Sequence, residues 1–259
     1  MTLGALPATG LFGIALRLRR SARHANNPLI MTMQPTPQPW PPQRRSFSRI
    51  CFLGDAFTAS AGDETALGWV GRLAAGEWGR GHDVTAYNLG IRGDSTRGLL
   101  RRWRAECEAR LPAAANGRLV FAFGGNDAKE VVGQGIDVPL AESVDNARAL
   151  MSAAAAWKPT LWIGLIPMSD IKPYPQLLTG PQFRFSNARQ AEYNGAYARI
   201  AADLGIPFLD LHTPLQADPE WERMTQAGDG SNPAAEGYAR LAGMIAQWPA
   251  WRHWFDHEA

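Results

Sequence analysis

Cysteine is scarce in this sequence, which has two cysteines, Cys51 and Cys107, among 259 residues. Neither cysteine stands at the spacing that metal ligands require. Cys51 lies inside an apolar run and Cys107 on the apolar stripe of a predicted helix, so both are predicted to be small hydrophobic core residues. The sequence therefore indicates no metal site, and we expect a protein with reduced thiols in the cytoplasm.

Acidic residues are missing from the first 54 positions, whereas seven arginines lie there: Arg17, Arg19, Arg20, Arg23, Arg44, Arg45 and Arg49. The whole chain has a formal net charge of +2, so the remainder of the chain is mildly acidic. A nucleic-acid-binding domain would concentrate positive charge on its folded body. The charge distribution therefore predicts no nucleic-acid partner.

No apolar run in the sequence is long enough to predict a membrane span. The run "LGALPATGLFGIAL" is followed by "RLRR", whereas a secretory signal has its positive charges before the apolar run. The stretch "QPTPQPWPPQ" is too rich in proline to pack as helix or sheet. We expect residues 1–48 to be a disordered extension, or to reflect a start codon placed too early, with Met31 and Met33 as later candidates. An arginine-rich targeting segment is the alternative.

From residue 49 to residue 259 the pattern predicts one domain, in which short apolar runs alternate with helical periodicity. The predicted strands are "RICFLG", "DVTAYNLG", "RLVFAFGG", "TLWIGLIP" and "PFLDLH". Helical spacing relates three sets of residues: Leu100, Trp103, Cys107 and Leu111; Tyr193, Tyr197, Ile200 and Leu204; and Tyr238, Leu241, Ile245 and Trp248. The alternation predicts an α/β fold with a five-stranded parallel sheet covered by helices on both faces.

Polar or glycine-rich loops follow four of the predicted strands. They are "GDAFTASAGDE" after the first strand, "NLGIRGDST" at the second, "FAFGGND" at the third and "GDGSNPAAEGYARLA" after the fifth. In open parallel sheets, ligands bind beyond the carboxyl ends of the strands. We therefore expect these four blocks to meet at one ligand site.

In their order and on these elements, the four blocks resemble those of the SGNH, or GDSL, hydrolase family of esterases and lipases. Members carry Gly-Asp-Ser after the first strand, a glycine after the second, Gly-x-Asn-Asp after the third and Asp-x-x-His near the end. The resemblance extends from about Ser48 to Trp248. It implies a flavodoxin-like, three-layer α/β/α fold and a small-molecule ester or acylated ligand. No cofactor and no metal are implied, because the sequence has no metal-spaced cluster and no phosphate loop.

The resemblance also assigns roles to individual residues. Ester hydrolysis needs a hydroxyl nucleophile, a base, a carboxylate that orients the base, and donors for the oxyanion. By resemblance, the backbone N–H of Gly93 and the side-chain amide of Asn126 are the oxyanion donors, and Asp229 is the orienting carboxylate. The nucleophile position holds Ala56 and the base position holds Asn232. Both proton-handling groups are therefore absent.

The two replacements predict a large loss of hydrolysis. Loss of the nucleophile or the base alone costs a serine hydrolase about a millionfold in turnover, and loss of the second adds little because the two act as a unit. The oxyanion hole and substrate binding alone retain a rate enhancement of roughly a thousandfold over the reaction in water. The sequence therefore predicts a hydrolytically impaired protein that keeps its ester-binding pocket.

Residues near these positions have further interpretations. Asn126, Asp127 and Asp229 are residue types that also close turns and loops. Asn232 stands just before Pro233 and is predicted to be the N-cap of the last helix. Arg92 is able to clamp a carboxylate or phosphate. The residues predicted to bind a ligand beside the catalytic positions are Asp55, Arg92, Asp127 and His212.

Other side chains are candidates for the missing groups. Thr58, Ser60 and Ser95 carry hydroxyls near the motifs, and His212, predicted at the end of the fifth strand, is the candidate base. One alternative is therefore an enzyme of altered chemistry that uses Asp229 or His212. A second is an active esterase whose serine and histidine were replaced, since one residue restores each motif. A third is a scaffold that binds partners through its tryptophan-rich C-terminus, although core packing is the default for such aromatics.

Overall fold

A computed structural model describes residues 46–169 and 180–256. Its strands are β1 (Ser46–Gly54), β2 (His82–Gly90), β3 (Gly117–Ala122), β4 (Glu130–Val131), β5 (Gly135–Ile136), β6 (Thr160–Ile163), β7 (Phe183–Arg184) and β8 (Phe208–Leu209). Its helices are α1 (Gly68–Gly79), α2 (Thr96–Glu108), α3 (Leu140–Ala155), α4 (Asn187–Leu204), α5 (His212–Gln216), α6 (Pro219–Ala227), α7 (Ala235–Gln247) and α8 (Pro249–Asp256). Among these described helices, none is long and apolar enough to cross a membrane. Residues 1–45, with the expectations for them, and residues 170–179 lie outside the described residues.

The main sheet confirms the predicted fold. Five parallel strands pair in the order β2-β1-β3-β6-β8. Gly54 at the end of β1 lies opposite Gly90 of β2 and Ala122 of β3. The loops that follow these three strands therefore leave the sheet at the same edge.

Helices bury both faces of the sheet. Because side chains alternate across a strand, Ile50 and Phe52 of β1 join one hydrophobic cluster with side chains of α1, α7 and α8. Cys51 and Leu53 join the other, with side chains of α2, α3 and α4. Cys107 lies in the second cluster, and both cysteines are free and buried, as the sequence predicts.

The sequence does not predict a second, antiparallel sheet of order β5-β4-β7. Its strands have two residues each, too few to show a period-two pattern. The ammonium of Lys129 lies 3.1 Å from Asp137 Oδ2 and 4.8 Å from the ring centroid of Phe183. These contacts connect the loop after β3 to the residue that follows β5 and to β7.

Two predicted positions are wrong. Helix α7 begins at Ala235 with Ala234 as its N-cap, so Asn232 does not cap it. The reason is that the Asn232 side chain bonds to Asp229 instead. Strand β8 ends at Leu209, and His212 begins α5, where it is 2% exposed.

The C-terminal aromatics pack mainly in the core. Trp251 and Phe255 are buried, and the ring centroid of Trp251 lies 6.2 Å from that of Phe52. The Trp251 Nε1–H donates a hydrogen bond of 2.9 Å to Glu77 Oε1. These two residues therefore stabilise the α1, α7 and α8 face of the sheet and present no surface to a partner.

We expect Gly54→Ala to destabilise the fold strongly. A Cβ at this position would collide with the backbone oxygen of Ala122 and with Thr58 Oγ1, and the backbone of a central strand cannot move away. The expected loss is at least about 2 kcal/mol in the free energy of unfolding, measured by urea denaturation. Gly79→Ala is the control, because no atom lies within 4 Å of a Cβ there. Equal midpoints for the two variants would contradict this prediction.

Candidate active site

A cleft of about 690 Å³, part of it open to solvent, lies at the carboxyl edge of the main sheet. Ala56 and Gly93 line it, together with the polar residues Asp55, Arg92, Asn126, Ser231 and Asn232. Its apolar side chains are Phe57, Phe123, Leu165, Ile166, Met168 and Phe185. The cleft therefore brings together residues from all four blocks singled out in the sequence.

The turn after β1 presents Ala56 to the cleft and buries the neighbouring Asp55. The backbone N–H of Phe57 donates to Asp55 Oδ1 at 3.0 Å, and Asn126 Nδ2 donates to Asp55 Oδ2 at 3.0 Å. Burial raises the pKa of Asp55 to about 6, against the opposing effect of these two hydrogen bonds. At the adjacent position the methyl group of Ala56 has no proton to lose and cannot act as a nucleophile.

Two kinds of donor remain where the resemblance places the oxyanion hole. Gly93 has a φ of 80°, in the left-handed region that favours glycine, and is exposed at the cleft. Asn126 has a primary amide with two N–H donors, one of which bonds to Asp55. Its second N–H is available to a ligand. Gly93 and Asn126 thus line one cleft, and Asn126 has a donor beyond its bond to Asp55.

Asp127 is fully buried and lies outside the cleft lining. It accepts hydrogen bonds from the Thr96 backbone N–H at 3.0 Å and from Ser143 Oγ at 2.8 Å. Ser143 Oγ lies 2.6 Å from the hydroxyl of Tyr197. Burial raises the pKa of Asp127 to about 6. Its contacts fix the start of α2, and so position the loop that carries Gly93.

The fourth block forms a compact hydrogen-bonded turn. Asp229 Oδ1 accepts from the backbone N–H groups of Ser231 at 2.9 Å and Asn232 at 2.6 Å, and Asp229 Oδ2 accepts from Asn232 Nδ2 at 3.2 Å. Burial alone would raise the pKa of Asp229, but these hydrogen bonds hold it below its ordinary value. The carboxylate thus orients the amide of Asn232, which has no basic nitrogen.

Ser231 is a cleft residue that the sequence analysis overlooked, and it is the only hydroxyl-bearing side chain among the described lining residues. Its Oγ donates to Asp229 Oδ1 at 2.8 Å and accepts from Asn232 Nδ2 at 3.0 Å. Because the pKa of Asp229 is lowered, this carboxylate is too weak a base to take the proton of Ser231. The Asp-Gly-Ser-Asn motif itself was the signal available in the sequence.

The other candidate replacements are not in the cleft. Thr58 is fully buried, and its hydroxyl has no hydrogen-bond partner. Ser60 and Ser95 do not belong to the described lining, nor does His212. Burial lowers the pKa of His212, and its Nε2 has no hydrogen-bond partner among the described residues. The structure thus places none of these four candidates in the described lining of the cleft beside Ala56.

Residues 46–169 and 180–256 contain no set of side chains suited to bind a metal ion. No group of three or more histidine, cysteine, aspartate or glutamate side chains there is arranged to hold an ion. The cleft carboxylate of Asp55 and the nearby Asp229 instead accept hydrogen bonds from protein donors.

Comparisons with known proteins give the following matches. A model of the GDSL-like lipase/acylhydrolase family matches residues 52–240. No curated protein sequence matches the chain. A lipase/acylhydrolase from Enterococcus faecalis is similar with a TM-score of 0.62 and 22% identity, over 80% of this chain and 97% of that one. TesA is similar with a TM-score of 0.59 and 22% identity, over 80% of this chain and 99% of that one. The acetylxylan esterase Axe2 from Geobacillus stearothermophilus is similar with a TM-score of 0.59 and 18% identity, over 79% of this chain and 96% of that one.

We expect Asp55→Asn and Asp229→Asn to alter the pH dependence of stability in opposite ways. The pKa of Asp55 is raised on folding, so its ionisation destabilises the native protein as the pH rises from about 4 to about 6. In the unmodified protein the free energy of unfolding should therefore fall over this pH range, and Asp55→Asn should remove up to about 3 kcal/mol of that fall. The pKa of Asp229 is lowered on folding, so its contribution exists above about pH 4 and disappears as the pH falls through the folded pKa.

Asp229→Asn should therefore destabilise the protein most near neutral pH and least in acid. Urea unfolding from about pH 3 to about pH 7 measures both effects. Profiles that run parallel to that of the unmodified protein would contradict the environments described for the two carboxylates.

Proposed function

The chain belongs to the GDSL-like lipase/acylhydrolase family, and on that premise we propose that it is a hydrolytically impaired member that binds an acyl, acetyl or sugar ester. One observation carries the proposal. The cleft presents Ala56 and Asn232 at the positions where the family pattern has its serine and histidine, while Asp229 still holds the side chain at position 232. The frame of the site is retained without its proton-transfer groups.

The lost groups account for the expected impairment. A serine hydrolase passes a proton from its nucleophile to the base and then to the leaving group. Neither the Ala56 methyl nor the Asn232 amide can take part in this transfer. The described cleft has one further hydroxyl, that of Ser231, which is hydrogen-bonded to the weakly basic Asp229.

The retained groups support ligand binding. Gly93 and the free N–H of Asn126 are placed to donate to a carbonyl oxygen. Leu165, Ile166 and Met168 line the cleft after β6 and are suited to the apolar part of an acyl group. A carbonyl beside an apolar chain is the pattern that an ester presents.

An enzyme of altered chemistry has less support. It would need His212 or Asp229 to act on a bound ligand, but neither belongs to the described cleft lining. Asp229 also accepts hydrogen bonds from four donors of Ser231 and Asn232. No observation on the described residues favours this alternative over an ester-binding cleft.

We expect Ala56→Ser combined with Asn232→His to restore hydrolysis of p-nitrophenyl acetate. Asp229 already holds the side chain at position 232, so it is placed to orient an imidazole there. The double variant should exceed the unmodified protein by at least about a thousandfold in kcat/KM, because the unmodified cleft has only binding and oxyanion contacts. Steady-state rates with active-site titration measure the difference.

Each single variant is a matched control and should stay near the unmodified rate, since the nucleophile and base act as a unit. Adding Asn126→Ala to the double variant should lower kcat by about a hundredfold or more, through the loss of an oxyanion donor. Ordinary esterase rates in the unmodified protein would overturn the proposal of impairment.

A further inference from the structure

We propose that the cleft selects an ester that also carries an anionic group, a carboxylate or a phosphate, and that Arg92 binds this group. The inference rests on the proposed function, because it places the ester in the same cleft. Arg92 lines that cleft and directly precedes Gly93 in the loop after β2. A ligand whose carbonyl lies at Gly93 is therefore in the same cleft as Arg92.

The backbone on both sides of Arg92 is fixed. The Ile91 N–H donates to the Gly54 carbonyl oxygen at 3.0 Å, which ties the loop to the end of β1. The Asp94 N–H donates to the Ile91 carbonyl oxygen at 3.1 Å and closes a turn around Arg92 and Gly93. Arg92 is thus held at the cleft by main-chain contacts, and binding a ligand does not require the loop to be ordered first.

The guanidinium of Arg92 forms no hydrogen bond or ion pair in the described part of the chain, although its charge acts on Tyr238. The adjacent carboxylate of Asp94 already accepts a hydrogen bond from Arg102 Nε at 2.8 Å. Asp55 accepts from the Phe57 N–H and from Asn126. Arg92 is also the only cation in the described lining, so it is the one group there that is able to neutralise a ligand's negative charge.

The remainder of the cleft explains why the anion should accompany an acyl group. Leu165, Ile166, Met168 and Phe185 line the cleft as an apolar wall. An apolar wall has no donors for a charged group, whereas a guanidinium binds carboxylate or phosphate through two parallel hydrogen bonds. A ligand with an apolar acyl part and a separate anionic group would place the acyl part against the apolar wall and the anionic group at the guanidinium of Arg92.

Binding to the unmodified protein tests the inference with two matched pairs of probes. Monomethyl succinate carries a carboxylate, and methyl butyrate is its neutral counterpart. 2-Acetoxyethyl phosphate carries a phosphate, and 2-methoxyethyl acetate is its neutral counterpart. We expect at least one anionic probe to bind about tenfold or more tightly than its neutral partner in NMR titrations, as charge-assisted hydrogen bonds predict. The pair in which the anionic probe binds more tightly shows whether the cleft prefers a carboxylate or a phosphate.

Arg92→Ala should abolish the preference, and Arg92→Lys should retain part of it. Arg101→Ala is the control, because Arg101 is exposed on α2 and lies outside the described lining. If both alanine variants lose the preference equally, general attraction to the surface explains it and the inference is wrong.

The remaining outcomes separate the inference from the proposed function. Equal binding of anionic and neutral probes would overturn the role of Arg92 and leave an ester-binding cleft in place. If no probe binds and the Ala56→Ser, Asn232→His variant is inactive on a neutral ester, the proposed function fails and the inference fails with it.

Discussion

The loop after β3 holds two loops of the cleft in place through adjacent residues. Asn126 donates to Asp55 in the loop after β1, and Asp127 accepts from Thr96 at the start of α2, each at 3.0 Å. Because β1 lies between β2 and β3 in the sheet, these contacts reach across the whole carboxyl edge on one side of β3. The relative position of Ala56, Gly93 and Asn126 depends on this pair of contacts. Asp55, Thr96 and Asp127 are buried, so loss of the group bonded to any of them would leave a buried polar group unpaired.

The side-chain amide of Asn232 satisfies the carboxylate of Asp229. A buried carboxylate is costly unless it accepts hydrogen bonds. Asn232 supplies its backbone N–H at 2.6 Å and its amide N–H at 3.2 Å to Asp229, and Ser231 supplies two further donors. An asparagine therefore stabilises this turn without providing a base. The stability of this turn therefore does not depend on a basic side chain at position 232.

The sequence predicts the main sheet well because its strands are buried on both sides and appear as apolar runs such as "RICFLG". It also places Ala56, Gly93 and Asn126 together, since strand ends of a parallel sheet share one edge. The small antiparallel sheet is too short to leave a pattern. Asn232 has the correct type for an N-cap, but a tertiary contact with Asp229 takes precedence over that local preference. The apolar wall lies in loops, where spacing carries no periodic signal and position depends on tertiary contacts.

The environment of Asp55 argues that the cleft is kept for binding. Its carboxyl is buried at the cleft with a pKa raised to about 6, so near neutral pH its ionised form lowers the stability of the native protein. A chain selected for stability alone would gain by replacing such a group, whereas strained or costly groups persist where a site uses them. Asp55 holds one N–H of Asn126, and in doing so it fixes the direction of the second N–H. The unfavourable burial of Asp55 therefore accompanies an oriented donor in the cleft.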